Sequence, residues 1–149
     1  RILGDVSVLS PSLQEEIKET NEISSRYEGF KLNLSELGGR AEILQAARRY
    51  ALDLAEGRAT ADLSEKSFSS YLYSDGIPDP ELLIRPGGEK RISNFLLWQC
   101  AYSEFYFSDI LWPDFTTEEL DKAIAEFTGE TGDLEALKMV DSISVLGCT

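Results

Sequence analysis

Apolar and polar positions follow two alternating periods along this chain, and together they predict strands interleaved with helices. Residues 2–9 are apolar and β-branched and are expected as a buried strand, entered part-way, so that the chain itself is expected to be a fragment. Ser10-Pro11 then opens a helix, with serine at the cap and proline in the first turn. That helix is expected to turn Leu13, Ile17 and Ile23 inward and to stop before Gly29. Residues 30–34 alternate with period two, as a second strand does, and Gly38-Gly39 ends the pattern. Ile43, Leu44, Ala47, Ala51 and Leu54 fall at helical spacing, and Ser64 caps a further helix expected to run through Tyr73.

The second half repeats the alternation. Residues 75–80, Asp-Gly-Ile-Pro-Asp-Pro, are a turn-rich connection. Leu82-Leu83-Ile84 is a short, wholly apolar strand ended by Pro86-Gly87-Gly88. Residues 95–101 read as an apolar helix and residues 105–110 as a final strand. Thr116 and Glu119 have the spacing of a capping box, for a helix ending near Phe127. Beyond Gly129 the patterning is weak. Strands alternating with helices imply an α/β fold with a largely parallel sheet flanked by helices.

Composition narrows the function classes. The chain has 149 residues, about one domain's worth, and 42% hydrophobic residues, which suits a packed core. Its net charge of −13 argues against nucleic-acid binding, which draws its affinity from basic surface. It argues equally against loose attraction to anionic lipid. There is no histidine, so histidine triads and zinc–histidine sites are excluded. Cys100 and Cys148 are expected to be reduced, structural thiols of a cytoplasmic protein.

Against that acidic background, Arg85, Lys90 and Arg91 cluster around two glycines. Arg85 follows an apolar strand directly, and ligands of parallel α/β sheets sit at the carboxyl ends of strands. Glycine lets the backbone approach an anion closely, guanidinium groups grip it, and Ser93 adds a hydroxyl near an expected helix start at Asn94. These are the elements of a phosphate site. The bland alternative is a charged loop held by surface ion pairs with Glu89. Glu104 is the second candidate. A carboxylate among Tyr102, Phe105, Tyr106 and Phe107 needs a cation, a donor or a proton. Mg²⁺ beside a diphosphate would satisfy it, and so would a nearby arginine. For Trp98, Tyr102, Phe105, Tyr106, Phe107 and Trp112, core packing is expected rather than base stacking, because no basic stripe is interleaved with them. Gly38-Gly39-Arg40 is read as a strand-to-helix turn, since it lacks the lysine and hydroxyl of a Walker motif. Asp109 and Asp114 read as loop residues around Trp112-Pro113.

The run from Pro80 through Arg85-Pro86-Gly87-Gly88-Glu89-Lys90-Arg91-Ile92-Ser93-Asn94 to Gln99 resembles the signature block of the cis-prenyltransferases, which include the undecaprenyl diphosphate synthases. The likeness continues through Ala101-Tyr102-Ser103-Glu104-Phe105-Tyr106-Phe107 to Leu111-Trp112-Pro113-Asp114-Phe115, and more weakly back to the first residues. It implies an undecaprenyl diphosphate synthase-like fold seen without its N-terminal section. On this reading residues 1–128 are the C-terminal portion of a catalytic domain, and residues 129–149 are a divergent tail. It implies an enzyme that condenses isopentenyl diphosphate with an allylic prenyl diphosphate into a cis-polyprenyl diphosphate. Arg85, Arg91 and Ser93 then match the residues that hold isopentenyl diphosphate, and Glu104 matches the acidic residue associated with Mg²⁺ and catalysis. The family also implies a homodimer in the complete protein, in the cytoplasm, drawn to the membrane surface by its lipid product.

Three departures stand beside the likeness. The family's Asp-Gly-Asn-x-Arg-Trp motif, which holds the allylic diphosphate, is not in these 149 residues. Ser35-Glu36-Leu37-Gly38-Gly39 stands where the family has an Asn-Tyr-Gly-Gly type of turn. The family's C-terminal Arg-x-Gly segment has no match after Phe127. A non-catalytic subunit, or a degenerate relative that binds a diphosphate or a partner protein, is therefore the rival reading.

Overall fold

The structure is a computed structural model that describes residues 2–4, 6–27, 33–35, 38–129 and 143–146. The chain divides into two compact units, Arg1–Asp75 and Gly76–Thr149, and the boundary falls at the turn-rich connection.

In the first unit, β1 (Ile2–Leu3) pairs in parallel with β2 (Leu34–Ser35). The strand expected over residues 2–9 is short, because the chain turns at Gly4 and winds into a 3₁₀ turn at Val6–Val8. Of the strand expected over residues 30–34, residues 30–32 lie outside the described residues. Helix α1 (Pro11–Ser24) starts as its sequence dictates, with Ser10 Oγ accepting the Leu13 amide at 3.4 Å. Its apolar side chains are not buried, however, and Leu13 and Ile23 are both exposed. Helix α2 (Gly39–Ala55) begins at Gly38, as a strand-to-helix turn should.

The face that α2 buries also differs from expectation. Glu42 and Ala46 are buried, while Leu44 and Leu54 are exposed. The cause is a polar seam between α2 and the segment around α3 (Glu65–Ser69). Tyr73 N–H donates to Glu42 Oε1 at 3.1 Å, Arg49 donates to the Tyr71 carbonyl at 3.1 Å, and Tyr71 Oη donates to Asp53 Oδ2 at 3.2 Å. Helix α3 is shorter than expected and gives way to turns after Ser69, although Ser64 and Ser67 do form the reciprocal cap.

The second unit is built on β3 (Leu82–Arg85), every residue of which is buried. It lies between β4 (Glu104–Phe107) and β5 (Ile143–Val145), and both pairings are parallel. A strand covered on both faces reads as a continuous apolar run, which is why Leu82-Leu83-Ile84 was legible. Leu82 and Ile84 pack with Ala123 of α4 (Thr117–Thr128) and with Tyr106, Phe115 and Leu120. Leu83 faces the other way, toward Cys100 and Leu146. Burial raises the Cys100 thiol above its ordinary value, consistent with an inert structural cysteine. Cys148 lies outside the described residues. The segment after Gly129, which carried no clear pattern, supplies β5.

Two other expectations fail here. Residues 95–101 do not form a helix, because Ser93, Asn94 and Leu96 all adopt left-handed backbone (φ 46°, 68° and 43°). Such residues cannot continue a right-handed helix, so only a 3₁₀ turn follows, at Gln99–Tyr102. Among the aromatic residues, Tyr106 packs on the core, whereas Tyr102 is 93% exposed and Phe105, Phe107 and Trp112 are also exposed in this chain. Among the described residues, no helix is long and apolar enough to cross a membrane.

Candidate diphosphate site

The site is built from the carboxyl end of β3. Arg85 is its last residue and is 4% exposed, so the sheet fixes its backbone and the surrounding packing restricts its stem. The chain then turns through Pro86, Gly87 and Gly88. Both glycines take left-handed backbone (φ 92° and 73°), which an L side chain adopts only with strain. The turn is stitched to the segment after β4. Ser108 N–H donates to the Arg85 carbonyl at 3.0 Å, Gly88 N–H donates to the Ser108 carbonyl at 2.9 Å, and Gly87 N–H donates to the Ile110 carbonyl at 2.9 Å. The Asp109 carboxylate lies against the same turn, 3.5 Å from where a Cβ on Gly88 would stand.

Arg91 is exposed and pairs with Glu89. That contact is the one the bland reading anticipated, but an ion pair at the surface contributes only about 0–1 kcal/mol. It therefore leaves Arg91 able to exchange Glu89 for a more highly charged anion. Lys90 and Ser93 are also exposed, and the left-handed backbone at Ser93 and Asn94 keeps this loop from folding into a helix. The loop from Arg85 to Asn94 thus presents one buried, rigid guanidinium and several exposed polar groups within a short span of chain. This suits a ligand with several anionic oxygens.

Glu104 is placed elsewhere. Register pairs it with Leu82, and pairs Phe107 with Arg85. Glu104 therefore stands at the opposite end of the strand, about 10 Å away at roughly 3.3 Å per residue. Strand alternation also puts it on the face of Tyr106, whereas Arg85 shares the face of Leu83. The Glu104 side chain is exposed in this chain. Among the described residues there is no cluster of three or more acidic or cysteine side chains that could hold a metal ion.

The sequence reading missed Glu119. Instead of closing a capping box with Thr116, it is drawn inward on α4, 6% exposed. Its Oε1 accepts from Ser108 Oγ at 2.7 Å and from Tyr106 Oη at 2.9 Å, and its Oε2 accepts from Lys122 Nζ at 3.0 Å. The Ser108 bond first, then Lys122 and Tyr106, hold the Glu119 carboxyl below the usual carboxylate range against the opposing effect of burial. The available signal was the i, i+2 pair Tyr106 and Ser108, two hydroxyls on one face of a strand, followed by a carboxylate on an amphipathic helix.

Tyr106 carries a testable consequence. Burial first, then its bond to Glu119 and the charges of Glu119 and Glu126, push its pKa up to about 12. The fold thus favours the neutral phenol. That contribution to stability is fully present below the ordinary value of 10.0 and is lost as pH rises through about 12. In an ultraviolet titration of the six tyrosines, a late phenolate component is expected that disappears in Tyr106→Phe. A titration unchanged by that substitution would refute it.

Residues 1–133 match the undecaprenyl diphosphate synthase family model of the prenyltransferases. An isoprenyl transferase of Geobacter sulfurreducens is 47% identical over 128 residues, covering 85% of this chain and 52% of the relative. A tritrans,polycis-undecaprenyl-diphosphate synthase (geranylgeranyl-diphosphate specific) of Thermoplasma volcanium is 45% identical over 129 residues, covering 85% of this chain and 50% of the relative. Among solved structures, lavandulyl diphosphate synthase from Lavandula x intermedia, in complex with dimethylallyl diphosphate, aligns with a TM-score of 0.81 at 38% identity. That alignment covers 85% of this chain and 55% of the other. The chain thus spans about half the length of the relatives it matches.

Proposed function

Since the chain belongs to the undecaprenyl diphosphate synthase family of cis-prenyltransferases, we propose that the loop from Arg85 to Ser93 holds isopentenyl diphosphate for condensation with an allylic prenyl diphosphate. The observation that carries this is Arg85, buried at the carboxyl end of the central parallel strand and followed by a left-handed Pro-Gly-Gly turn. In this reading Arg85 is the fixed grip, while Arg91 and Ser93 close on the diphosphate from the exposed side. Positioning the isopentenyl group for attack then lowers the barrier mainly by removing translational and rotational freedom beforehand. The product would be a cis-polyprenyl diphosphate.

Glu104 enters the proposal on its motif alone, as the acidic residue associated with Mg²⁺. When bound, the ion would stabilise the negative charge of the leaving diphosphate. The homodimer of the complete protein, its cytoplasmic location and its encounter with the membrane surface through the lipid product are proposals resting on the family resemblance.

The test is incorporation of labelled isopentenyl diphosphate into long-chain lipid. Residues 1–149 by themselves are expected to bind isopentenyl diphosphate but to form no product, because the Asp-Gly-Asn-x-Arg-Trp motif for the allylic partner is not among them. Adding a segment that carries that motif, in the same chain or as a separate one, is expected to restore product. Robust incorporation by residues 1–149 alone would overturn the assignment of roles. Absence of any binding would overturn the site.

A further inference from the structure

We propose that Glu119 is a positioning residue for the diphosphate turn and acts through Ser108. The inference rests on the reading of Arg85–Ser93 as the diphosphate site, and it concerns what holds that site in shape.

Ser108 clamps the turn at both ends. Its amide takes the Arg85 carbonyl, and its own carbonyl takes the Gly88 amide. Its hydroxyl does two further things: it donates to Glu119 Oε1 at 2.7 Å and accepts the Ile110 amide at 3.2 Å. Ile110 in turn accepts the Gly87 amide through its carbonyl. Every one of these bonds into the turn therefore passes through Ser108 or through the residue that the Ser108 hydroxyl fixes.

A hydroxyl can rotate, and burial alone, with Ser108 4% exposed, does not choose its direction. What fixes this hydroxyl is a buried carboxylate on α4, itself oriented by Tyr106 Oη at 2.9 Å and by Lys122 Nζ at 3.0 Å. Hydrogen bonds to an ionised acceptor are about twice as strong as neutral ones. Glu119 is thus the point at which the rigid helix is coupled to the left-handed glycines. Arg85 is tied into the same clamp, because its backbone carbonyl is one of the clamped atoms.

The experiment compares the wild-type chain, residues 1–149, with Ser108→Ala, Glu119→Ala, Glu119→Gln and Lys122→Ala. Two quantities are read: hydrogen exchange of the Gly87 and Gly88 amides, and affinity for isopentenyl diphosphate by calorimetry. In Ser108→Ala and Glu119→Ala, both glycine amides are expected to exchange roughly tenfold faster while amides within β3 keep their protection, and affinity should fall by about the same factor. Glu119→Gln keeps an oxygen acceptor and is expected to recover most of the protection. Lys122→Ala removes only the contact to the other carboxylate oxygen, Oε2, and is expected to change both quantities less than Glu119→Ala does. Should Glu119→Ala fail to fold, Ser108→Ala makes the same test without altering α4.

Unchanged glycine exchange in a folded Ser108→Ala would overturn the proposal. So would a uniform rise across β3 and the turn, which would make Glu119 only a general stabiliser. If the wild-type chain binds no isopentenyl diphosphate, the site reading falls, and the glycine exchange still decides whether Glu119 holds the turn.

Discussion

Leu83→Ala is expected to destabilise the second unit by about 2–5 kcal/mol, the cost of truncating a fully buried leucine. Leu83 has no exposed surface, and its strand is covered by β4 on one side and β5 on the other. Its side chain fills the space between Cys100 and Leu146, with Phe95 and Leu96 packed around them. Those neighbours stand outside the α-helices and strands, so partial collapse onto the smaller side chain should keep the loss in the lower half of the range. Total stabilities of single domains are only about 5–15 kcal/mol, so even that loss should be plain in a denaturant melt. The midpoint should fall with the slope nearly unchanged. A midpoint within error of wild type would mean that this side of the sheet is not packed as described.

The second large effect is expected at Arg85. Arg85→Ala should weaken isopentenyl diphosphate binding by about 1.5–3 kcal/mol for each charge-assisted bond removed, which is roughly ten- to a hundredfold per bond. Arg91→Ala should cost less. Arg91 is already solvated and paired with Glu89, so part of its interaction with the ligand replaces one that it gives up. Arg85→Lys is not expected to rescue fully, because an ammonium lacks the planar fork that grips two oxygens at once. Since Arg85 is buried, its removal also leaves unfilled space beside β3, and a melting curve must accompany the binding measurement. Equal affinities for wild type and a folded Arg85→Ala would remove the buried guanidinium from the site.

What was legible in the sequence, and what was not, divides along physical lines. The central strand was readable because a strand buried on both faces needs an unbroken apolar run, and Leu82-Leu83-Ile84 is one. The turn after it was readable because only glycine takes left-handed backbone without strain, and two glycines stood together. The helix expected over residues 95–101 was misread for the converse reason. Ser93, Asn94 and Leu96 adopt left-handed conformations imposed by their surroundings, and nothing in the identity of serine or leucine announces that. Glu119 was misread because a carboxylate three residues after a threonine has a cheap local use as a cap. Two hydroxyls, that of Tyr106 on β4 and that of Ser108 just after it, offered it a better, non-local one. The face of α2 went wrong in the same way, since Glu42 is buried by a bond to the Tyr73 amide that no periodicity could foresee. The separation of Glu104 from Arg85 follows from register and alternation, which become readable only once the two strands are known to pair in parallel.

The third strand of the second unit's sheet carries a consequence for the order in which the protein can be made. Leu82 pairs with Ile143, far along the chain, so β3 emerges from the ribosome long before β5 exists. Until then one edge of this buried, largely apolar strand has its backbone groups unpaired. Parallel pairings of such long sequence separation also form slowly, because the intervening chain must lose its freedom before any contact rewards it. A nascent chain in that interval presents an open edge of the kind that recruits other strands, and Arg85, a charge at the end of that edge, is then the chain's nearest defence against mispairing.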